Sequence, residues 1–426
     1  MIVPSTVRRL SAAGPLSVTA VTVTCGASPW IAPSPADSVV GLATGEHVPL
    51  SAPGSRLNTG PDRLPVQNPL QPTVDVEFHC ELPRRDAVTA PDGLADTLVY
   101  GHGLLGSRNE VKGGSTEDLR RRGFAACAMD WWGMSTADLP NVVAILADFS
   151  NFPSLADRSQ QGFVNVLYLA RALAHPRGFA ALPAFRDASG RPLIRTGRTH
   201  FVGNSQGGIM GGALIALSPD LTRGVLGVTG MNYSTLLNRS VDWEGVYARA
   251  AYANYPDAVD QQVLYALVQM LWDRAEANGY ALHMTDDPLP NTPRHQVMLQ
   301  VAYGDHQVSN LTAEVEARTI GADLKWPALG PASPHWSVDP SFGMRHATFG
   351  RASRGRSVLV YWYSADRHNR VPPTANVPDA AGQDPHEDPR RDGAASDQVA
   401  RFLRTGELVD TCAGGPCVTT DASRAK

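Results

Sequence analysis

The sequence predicts an α/β fold in which a mostly parallel central sheet carries helices on both faces. Three observations support this prediction. Short apolar runs, typical of strands buried on both faces, recur along the chain. Stretches with the apolar spacing of helices alternate with these runs. One run, residues 199–204, stops abruptly at Ser205 and is followed at once by a glycine-rich helical segment.

The strand candidates follow a loop-rich lead-in. Residues 1–70 are rich in Pro, Ser, Thr and Gly, with one strand candidate near residues 16–24. Apolar and polar residues alternate over 74–82, which predicts an antiparallel edge strand. The other candidates are continuous apolar runs at 97–100, 124–129, 199–204, 224–229, 295–303 and 357–363.

The helix candidates fall between these strands. Ser115 is the expected N-cap of a short helix that Gly123 closes. Further helical patterns cover residues 155–174, 207–217, 261–277 and 397–404. Two insertions stand out, a mostly helical one at 232–294 and an irregular, Pro-rich one at 321–356.

The expected organisation is one α/β domain over residues 71–410, with a helical cap inserted at about 235–294. An N-terminal segment, 1–70, precedes the domain, and a C-terminal tail, 411–426, follows it.

Composition narrows the class of protein. The net charge of −4 and the pI near 6.3 give no electrostatic reason to expect nucleic-acid binding. No apolar run reaches the roughly 18 residues of a transmembrane helix. Arg8 and Arg9 precede a mildly apolar stretch, residues 10–23, which is either a poor signal peptide or a strand.

Five cysteines are too few for a disulfide scaffold. Cys412 and Cys417 flank Ala-Gly-Gly-Pro, which bends easily, so we expect them to form a disulfide and the protein to be exported. Without a second pair or a nearby His, they make a poor zinc site. Cys127, in an apolar run, is expected to be a buried thiol.

The stretch Gly203-Asn204-Ser205-Gln206-Gly207 fits the pattern G-x-S-x-G, the nucleophile elbow. Glycines two residues before and after the serine let neighbouring backbone pass, while the serine itself sits in a strained conformation. The helix behind it presents N–H groups suited to a developing oxyanion. The alternative is a Gly/Ser turn between two core elements.

With these features the chain resembles the α/β-hydrolases, in particular bacterial lipases and carboxylesterases, over about residues 74–410. In that family the chain order is nucleophile, acid, histidine, which gives Ser205 the nucleophile's role. The stretch Tyr100-Gly-His-Gly matches the loop that supplies an oxyanion donor. The resemblance therefore implies the backbone N–H groups of Leu104 and Gln206 as donors. It also implies a structural role for His102, although Gly101 and Gly103 alone would make a tight turn.

Asp305 follows the run at 295–303 and is the expected acid; the alternative is an ordinary turn residue. Its competitors are Asp286, Asp287 and Asp366. His386, in a loop after the last strand, is the expected base, flanked by Asp384 and Glu387, which favour the imidazolium. His368, flanked by Arg367 and Arg370, is second, and His306, His335 and His346 are weaker candidates.

Trp131 and Trp132 follow another strand and either line an apolar substrate pocket or pack the core. The sequence thus predicts a serine esterase or lipase for hydrophobic carboxylic esters, with no cofactor or metal and a small-molecule or lipid-like substrate. An amidase, an acyltransferase and a non-catalytic binding protein on the same fold are the alternatives.

Overall fold

A computed structural model describes residues 7–10, 16–24, 52–68, 74–83, 87–330, 342–364 and 371–419. Its contacts divide the chain into two compact units, residues 1–199 and 200–426. The predicted fold class is confirmed, because the strands are mostly parallel and helices cover both faces. The domain boundaries inferred from the sequence stay predictions.

The described residues of unit 1 form the strands β1 (Val7–Leu10), β2 (Leu16–Thr24), β3 (Asp75–Leu82), β4 (Asp96–Gly101) and β5 (Phe124–Met129). Their order in the sheet is β1-β2-β3-β5-β4. Three neighbouring pairs, β1 with β2, β2 with β3 and β3 with β5, are antiparallel, whereas β4 and β5 are parallel. The strand alternative for the stretch after Arg9 is the one that the structure shows.

The prediction that residues 74–82 form an edge strand is wrong. β3 has β2 on one side and β5 on the other. Toward the end of the strand polar residues are enclosed as well as apolar ones, whereas Asp75 and Glu77 at its start are exposed. His79 and Glu81 are both buried, with His79 Nε2 2.6 Å from Glu81 Oε1.

The helices of unit 1 are α1 (Gly114–Arg121), α2 (Leu139–Ala147) and α3 (Pro153–Ala174). The N-cap of α1 is Gly113, not Ser115 as predicted. A short 3-10 turn, Arg108–Lys112, leads directly into the helix, so the backbone coils before Ser115 is reached. Gly123 follows the helix at φ +84°, in the left-handed region that a closing glycine adopts.

The expectation of a free thiol at Cys127 is wrong, because Cys127 forms a disulfide with Cys80. The two cysteines lie directly opposite each other on β3 and β5. The pairing of these strands, which a single sequence does not reveal, brings the two sulfur atoms together.

The sheet order in unit 2 is β6-β7-β8-β10-β11, with β9 also beside β10. The pairs that β8 makes with β7 and β10, and those that β10 makes with β9 and β11, are parallel. The strands are β6 (Thr199–Asn204), which begins at the unit boundary, β7 (Leu221–Gly227), β8 (Gln296–Ala302), β9 (Asp323–Leu324), β10 (Val358–Tyr363) and β11 (Cys417–Val418).

The segment between β7 and β8 is mostly helical, as predicted. It contains α5 to α8 and one turn of π-helix, Trp243–Tyr247. The helices of unit 2 are α4 (Gln206–Leu217), α5 (Tyr233–Leu236), α6 (Ala248–Asn254), α7 (Ala258–Trp272), α8 (Ala281–Met284), α9 (Asn310–Thr319) and α10 (Gly393–Thr405).

The C-terminal end of the described chain returns to the sheet. The predicted disulfide between Cys412 and Cys417 is confirmed, and β11 begins at Cys417. Within the described ranges, no helix has both the length and the apolar character needed to cross a membrane.

Candidate active site

Ser205 occupies the turn between β6 and α4. Its backbone has φ +58° and ψ −129°, an unusual conformation for a residue with a side chain. The predicted strained turn is therefore present. Gln206 is the first residue of α4, so its N–H lies at the N-terminal end of that helix, directly after Ser205.

Gly203, two residues before Ser205, is required because the backbone of Gly207 lies very close to it. A Cβ at Gly203 would lie 2.2 Å from the carbonyl oxygen of Gly207 and 2.8 Å from the Phe201 ring. No side chain fits there without moving backbone. The spacing G-x-S-x-G therefore has a direct steric cause in this chain.

A series of backbone hydrogen bonds joins the ends of four strands in unit 2. The Ser205 N–H donates to Gly227 C=O at 2.9 Å, and the Val228 N–H donates to Gln300 C=O at 2.7 Å. The Tyr303 N–H donates to Trp362 C=O at 2.9 Å. The carboxyl ends of β6, β7, β8 and β10 thus meet at one edge, where open α/β sheets bind ligands.

Asp305 lies in the loop that follows β8 and is buried. Its Oδ1 atom accepts hydrogen bonds from the N–H groups of Gln307 and Val308, both at 2.9 Å. These two donors fix the orientation of the carboxylate. The same carboxylate also contacts the imidazole of His386.

His386 lies in the loop between β10 and α10, and its Nδ1 is 2.8 Å from Asp305 Oδ2 and 2.9 Å from Oδ1. The two side chains are 2% and 1% exposed, so solvent does not compete for this contact. The opposite ring atom, Nε2, is buried and has no hydrogen-bond partner among the described residues. An imidazole whose Nδ1 donates to a carboxylate presents Nε2 as a proton acceptor.

The pKa of His386 reflects two opposing influences. Burial lowers it, while the charge of Asp305 and the hydrogen bond to it raise it, and the net pKa lies above the ordinary value of 6.5. The imidazolium is therefore stabilised where it would form.

The remaining acid and base candidates differ from this pair. His306 is buried with Nε2 4.0 Å from Asp379, and His346 is exposed and stacks on Trp326. Asp286 pairs with Arg294 at the surface, and Asp287 is 80% exposed. The other three candidates lie outside the described residues: His335, His368 and Asp366.

His102 has a structural position. Its Nδ1 donates to Gly103 C=O at 2.9 Å, and its Nε2 accepts from the Trp131 N–H at 2.8 Å. Burial lowers its pKa, in keeping with a neutral ring. Leu104 follows in a turn that the Gly106 N–H closes onto Gly103 C=O at 3.1 Å. The oxyanion role of the Leu104 and Gln206 N–H groups stays a prediction.

Trp131 and Trp132 are buried, and their contacts are those of core residues. Trp131 packs edge-on against Phe163, with ring centroids 6.0 Å apart. The guanidinium of Arg158 lies 4.6 Å above the Trp132 ring. A pocket role for either tryptophan stays a prediction.

Sequence reasoning gave Asp384 only a local charge effect and did not find Asp242. Asp384 accepts hydrogen bonds from both loops of the site. Asp242 follows Val241, whose N–H donates to His306 C=O at 3.0 Å. Burial raises the pKa of Asp242, and the charge of His386 opposes this shift. The position of Asp384, two residues before His386, was the sequence signal that could have indicated its role. No pattern in the sequence marks Asp242.

Glu387 does not act as its position beside His386 suggested. Its carboxylate pairs with the guanidinium groups of Arg390 and Arg391. Its charge is therefore balanced locally. In the described part of the chain, no three His, Cys, Asp or Glu side chains are grouped so that they would hold a metal ion.

No protein-family model matches the chain, and no curated protein matches it either. Solved structures of hydrolases do show a partial likeness. An acetyl xylan esterase from Paenibacillus sp. R4 is 12% identical, with 74% of this chain and 78% of that chain covered and a TM-score of 0.40. The Pyrococcus furiosus esterase Pf2001 is 11% identical, with 79% and 89% covered and a TM-score of 0.38.

An acylaminoacyl peptidase from Pyrococcus horikoshii is 10% identical, with 79% of this chain covered and a TM-score of 0.39. The match spans only 40% of that protein's length. One fold supports many activities, so likenesses of this size do not choose among them. The function of this chain is therefore argued from its own residues.

Proposed function

We propose that the protein is a serine hydrolase that cleaves hydrophobic carboxylic esters. The observation that carries the proposal is the buried His386, whose Nδ1 contacts Asp305 and whose Nε2 has no hydrogen-bond partner among the described residues. Ser205 stands on a strained strand-to-helix turn at the same edge of unit 2. A nucleophile, a base and an orienting acid are the parts that acyl transfer needs.

In the proposed reaction, His386 Nε2 takes the proton of the Ser205 hydroxyl as Oγ attacks the ester carbonyl carbon. Asp305 holds the imidazole in the Nδ1–H tautomer and stabilises the imidazolium. The alcohol leaves with the proton that His386 returns. A water molecule, deprotonated by His386, then attacks the acyl-enzyme carbonyl. The bond to Ser205 Oγ breaks, His386 returns the proton to Oγ, and the acid is released.

The tetrahedral oxyanion requires donors that are already in place. The Gln206 N–H, at the N-terminal end of α4, is the donor proposed within unit 2. The Leu104 N–H is the second, on the family resemblance. Loss of one such donor typically costs about 3 kcal/mol of transition-state stabilisation.

The helical segment between β7 and β8 is proposed to cover the site. Its Val241 N–H is bonded to His306 C=O, one residue from Asp305, so the segment is anchored at the acid's loop. A cover that excludes water strengthens the electrostatic interactions beneath it.

Export to an oxidising compartment is also proposed. Cys80–Cys127 and Cys412–Cys417 are both disulfides, and structural disulfides persist outside the reducing cytosol. The compartment is tested by isolating the native protein under conditions that block free thiols and counting the thiols that were blocked.

The activity is tested with p-nitrophenyl esters of graded acyl length. The variants are Ser205→Ala, His386→Ala and their combination, with His346→Ala at an exposed site as the control. Each of the first two should lower kcat by about 10⁴ to 10⁶, and the double variant should be little worse than either. His346→Ala and His368→Ala should keep most of the activity.

Full activity in Ser205→Ala would refute the mechanism. Loss in His368→Ala with retention in His386→Ala would move the base to His368. Faster cleavage of p-nitroanilides than of esters would make the protein an amidase, and capture of the acyl group by added alcohol would make it an acyltransferase.

A further inference from the structure

We propose that Asp384 is a positioning residue whose carboxylate ties the loop of Asp305 to the loop of His386. The inference rests on the proposed function, since it concerns the geometry of the acid and base named there. Asp384 itself touches neither the serine nor the reacting atoms in this account.

The carboxylate of Asp384 accepts three hydrogen bonds. Its Oδ1 atom accepts from the His306 N–H at 3.3 Å and from the His386 N–H at 3.1 Å. Its Oδ2 atom accepts from Gln307 Nε2 at 2.7 Å. One side chain thus uses both oxygens, and the donors belong to both loops.

The donors stand next to the proposed catalytic atoms in the chain. His306 and Gln307 directly follow Asp305, and the Gln307 N–H itself donates to Asp305 Oδ1. The third donor is the backbone of His386. Any shift of Asp384 is therefore passed to the two residues whose contact orients the imidazole.

The loop of His386 needs such an anchor. It lies between β10, which ends at Tyr363, and α10, which begins at Gly393, and the described residues between them, 364 and 371–392, contain a single 3-10 turn, Pro389–Arg391. Ordering a loop costs conformational entropy, and hydrogen bonds to a charged group contribute more to holding it than bonds between neutral groups. A base misplaced by about 1 Å can lose about 100-fold in rate.

The charge of Asp384 also affects the pKa of His386, which gives a second measurable effect of its positioning role. Burial lowers the pKa of His386, Asp305 raises it, and Asp384 adds to the rise. The other charged groups acting on this site are Asp242, Asp379 and Arg390, which the test leaves unchanged.

The test measures kcat and KM against pH for a p-nitrophenyl ester in Asp384→Ala and Asp384→Asn. Asp384→Ala removes all three bonds and should lower kcat about 10- to 100-fold, with KM within about threefold. Asp384→Asn keeps one acceptor oxygen for the two backbone N–H groups and should retain more of kcat. Its acidic limb should move to lower pH, because the charge is lost.

Asp187→Ala is the matched control. Asp187 lies in a turn of unit 1, outside the helical segment proposed to cover the site, and accepts from the N–H groups of Ser189 and Arg191, so its loss removes a similar pair of side chain to backbone bonds. It should leave kcat and the acidic limb unchanged. If Asp384→Ala does not fold, the position of the acidic limb can still be measured in Asp384→Asn.

Wild-type kcat in Asp384→Ala, or wild-type kcat with an unmoved limb in Asp384→Asn, would overturn the assignment. An equal loss of kcat in Asp187→Ala would do the same, since it would trace the effect to stability. A wild-type protein that neither hydrolyses esters nor reacts at Ser205 would instead refute the proposed function, and the role of Asp384 with it.

Discussion

Ser205 and Val228 both adopt positive φ, at +58° and +43°, although each carries a side chain. Each such residue costs about 1–3 kcal/mol and persists only where its surroundings enforce it. Here the Ser205 N–H is bonded to Gly227 C=O, and the Val228 N–H to Gln300 C=O. The two strained residues therefore flank one pair of strand ends, and strain of this kind is concentrated at functional sites.

At the same scale, His386 must be neutral to act as a base, and its pKa lies above 6.5. The value of kcat/KM should therefore fall as the pH drops through an apparent pKa above 6.5. Asp305→Asn removes the charge that raises this pKa, so the acidic limb should move to lower pH and kcat should fall by about 10⁴. The measurement is a pH–rate profile of both proteins. An acidic limb at the same pH in both would show that another group titrates.

The residues of this pair were predictable from their places after apolar runs. Asp305 follows β8 and His386 follows β10. The chain order nucleophile, acid, histidine then favoured these two residues over the other candidates. The bonds that Asp384 makes were not predictable, because they join residues 78 positions apart through two loops. Loop conformation depends on tertiary contacts that no local pattern encodes.

At the scale of elements, the turn from β6 to α4 depends on its glycines. Gly203→Ala should unfold the turn or destabilise the protein by several kcal/mol, because the new methyl group would lie 2.2 Å from Gly207 C=O. Gly393→Ala is the control: in the first turn of α10 its added Cβ would meet no atom within 4 Å beyond its chain neighbours and its own helix, so the change should be neutral or slightly stabilising. Urea unfolding compares the two. Equal stability in both variants would contradict the steric account.

Glu276 and Glu316 are buried carboxyl groups whose pKa values are raised by the fold. Burial raises the pKa of Glu276 to about 7 and that of Glu316 to about 8, and the charge of Glu276 adds to the latter. Glu316 lies against α4, since a Cβ at Gly212 would be 3.2 Å from Glu316 Oε1, and the same Cβ would be 2.7 Å from the Cβ of Ala277, the residue after Glu276. At neutral pH such a group binds a proton in the folded protein that the unfolded chain releases.

A carboxyl group whose pKa is raised on folding contributes stability below pH 4.5, and this contribution is lost as the pH rises through 7 to 8. Glu316→Gln carries no ionisable group there. Its free energy of unfolding should exceed that of the wild type at pH 9 by a few kcal/mol, and the difference should vanish near pH 5. Denaturant unfolding at both pH values measures this. The same difference at pH 5 and pH 9 would show that Glu316 does not titrate in this range.

The elements themselves were largely predictable. Apolar runs indicated β4, β5, β6, β7, β8 and β10, and helical spacing indicated α3, α4, α7 and α10. The partners of each strand were not. β3 was taken for an edge strand, and the pairing of Cys80 with Cys127 was missed for the same reason.

At the scale of the whole molecule, the two disulfides should contribute unequally to stability. The Cys80–Cys127 bond closes a separation of 47 residues and the Cys412–Cys417 bond one of 5. Unfolded-chain entropy gives about 4 kcal/mol for the first and about 2 kcal/mol for the second. Replacing Cys80 and Cys127 by Ala should therefore lower Tm more than replacing Cys412 and Cys417. Equal changes in Tm would contradict the entropic account.

The same pairing fixes the number of free thiols. With four of the five cysteines in disulfides, only Cys25, which lies outside the described residues, has no disulfide partner within the described chain. The oxidised, denatured protein should therefore show one free thiol. Three would mean that only one of the two bonds forms, and five that neither does.

The central claim is that Ser205 is the nucleophile, and covalent labelling tests it most directly. A fluorophosphonate probe, followed by peptide mapping, should modify Ser205 alone, because this serine stands on the elbow at the sheet edge that carries His386 and Asp305. Ser205→Ala should remove the label, and His386→Ala should slow the labelling strongly. Ser107 and Ser135 also lie near glycines but not in a G-x-S-x-G pattern. Labelling of either, or undiminished labelling in Ser205→Ala, would contradict the account.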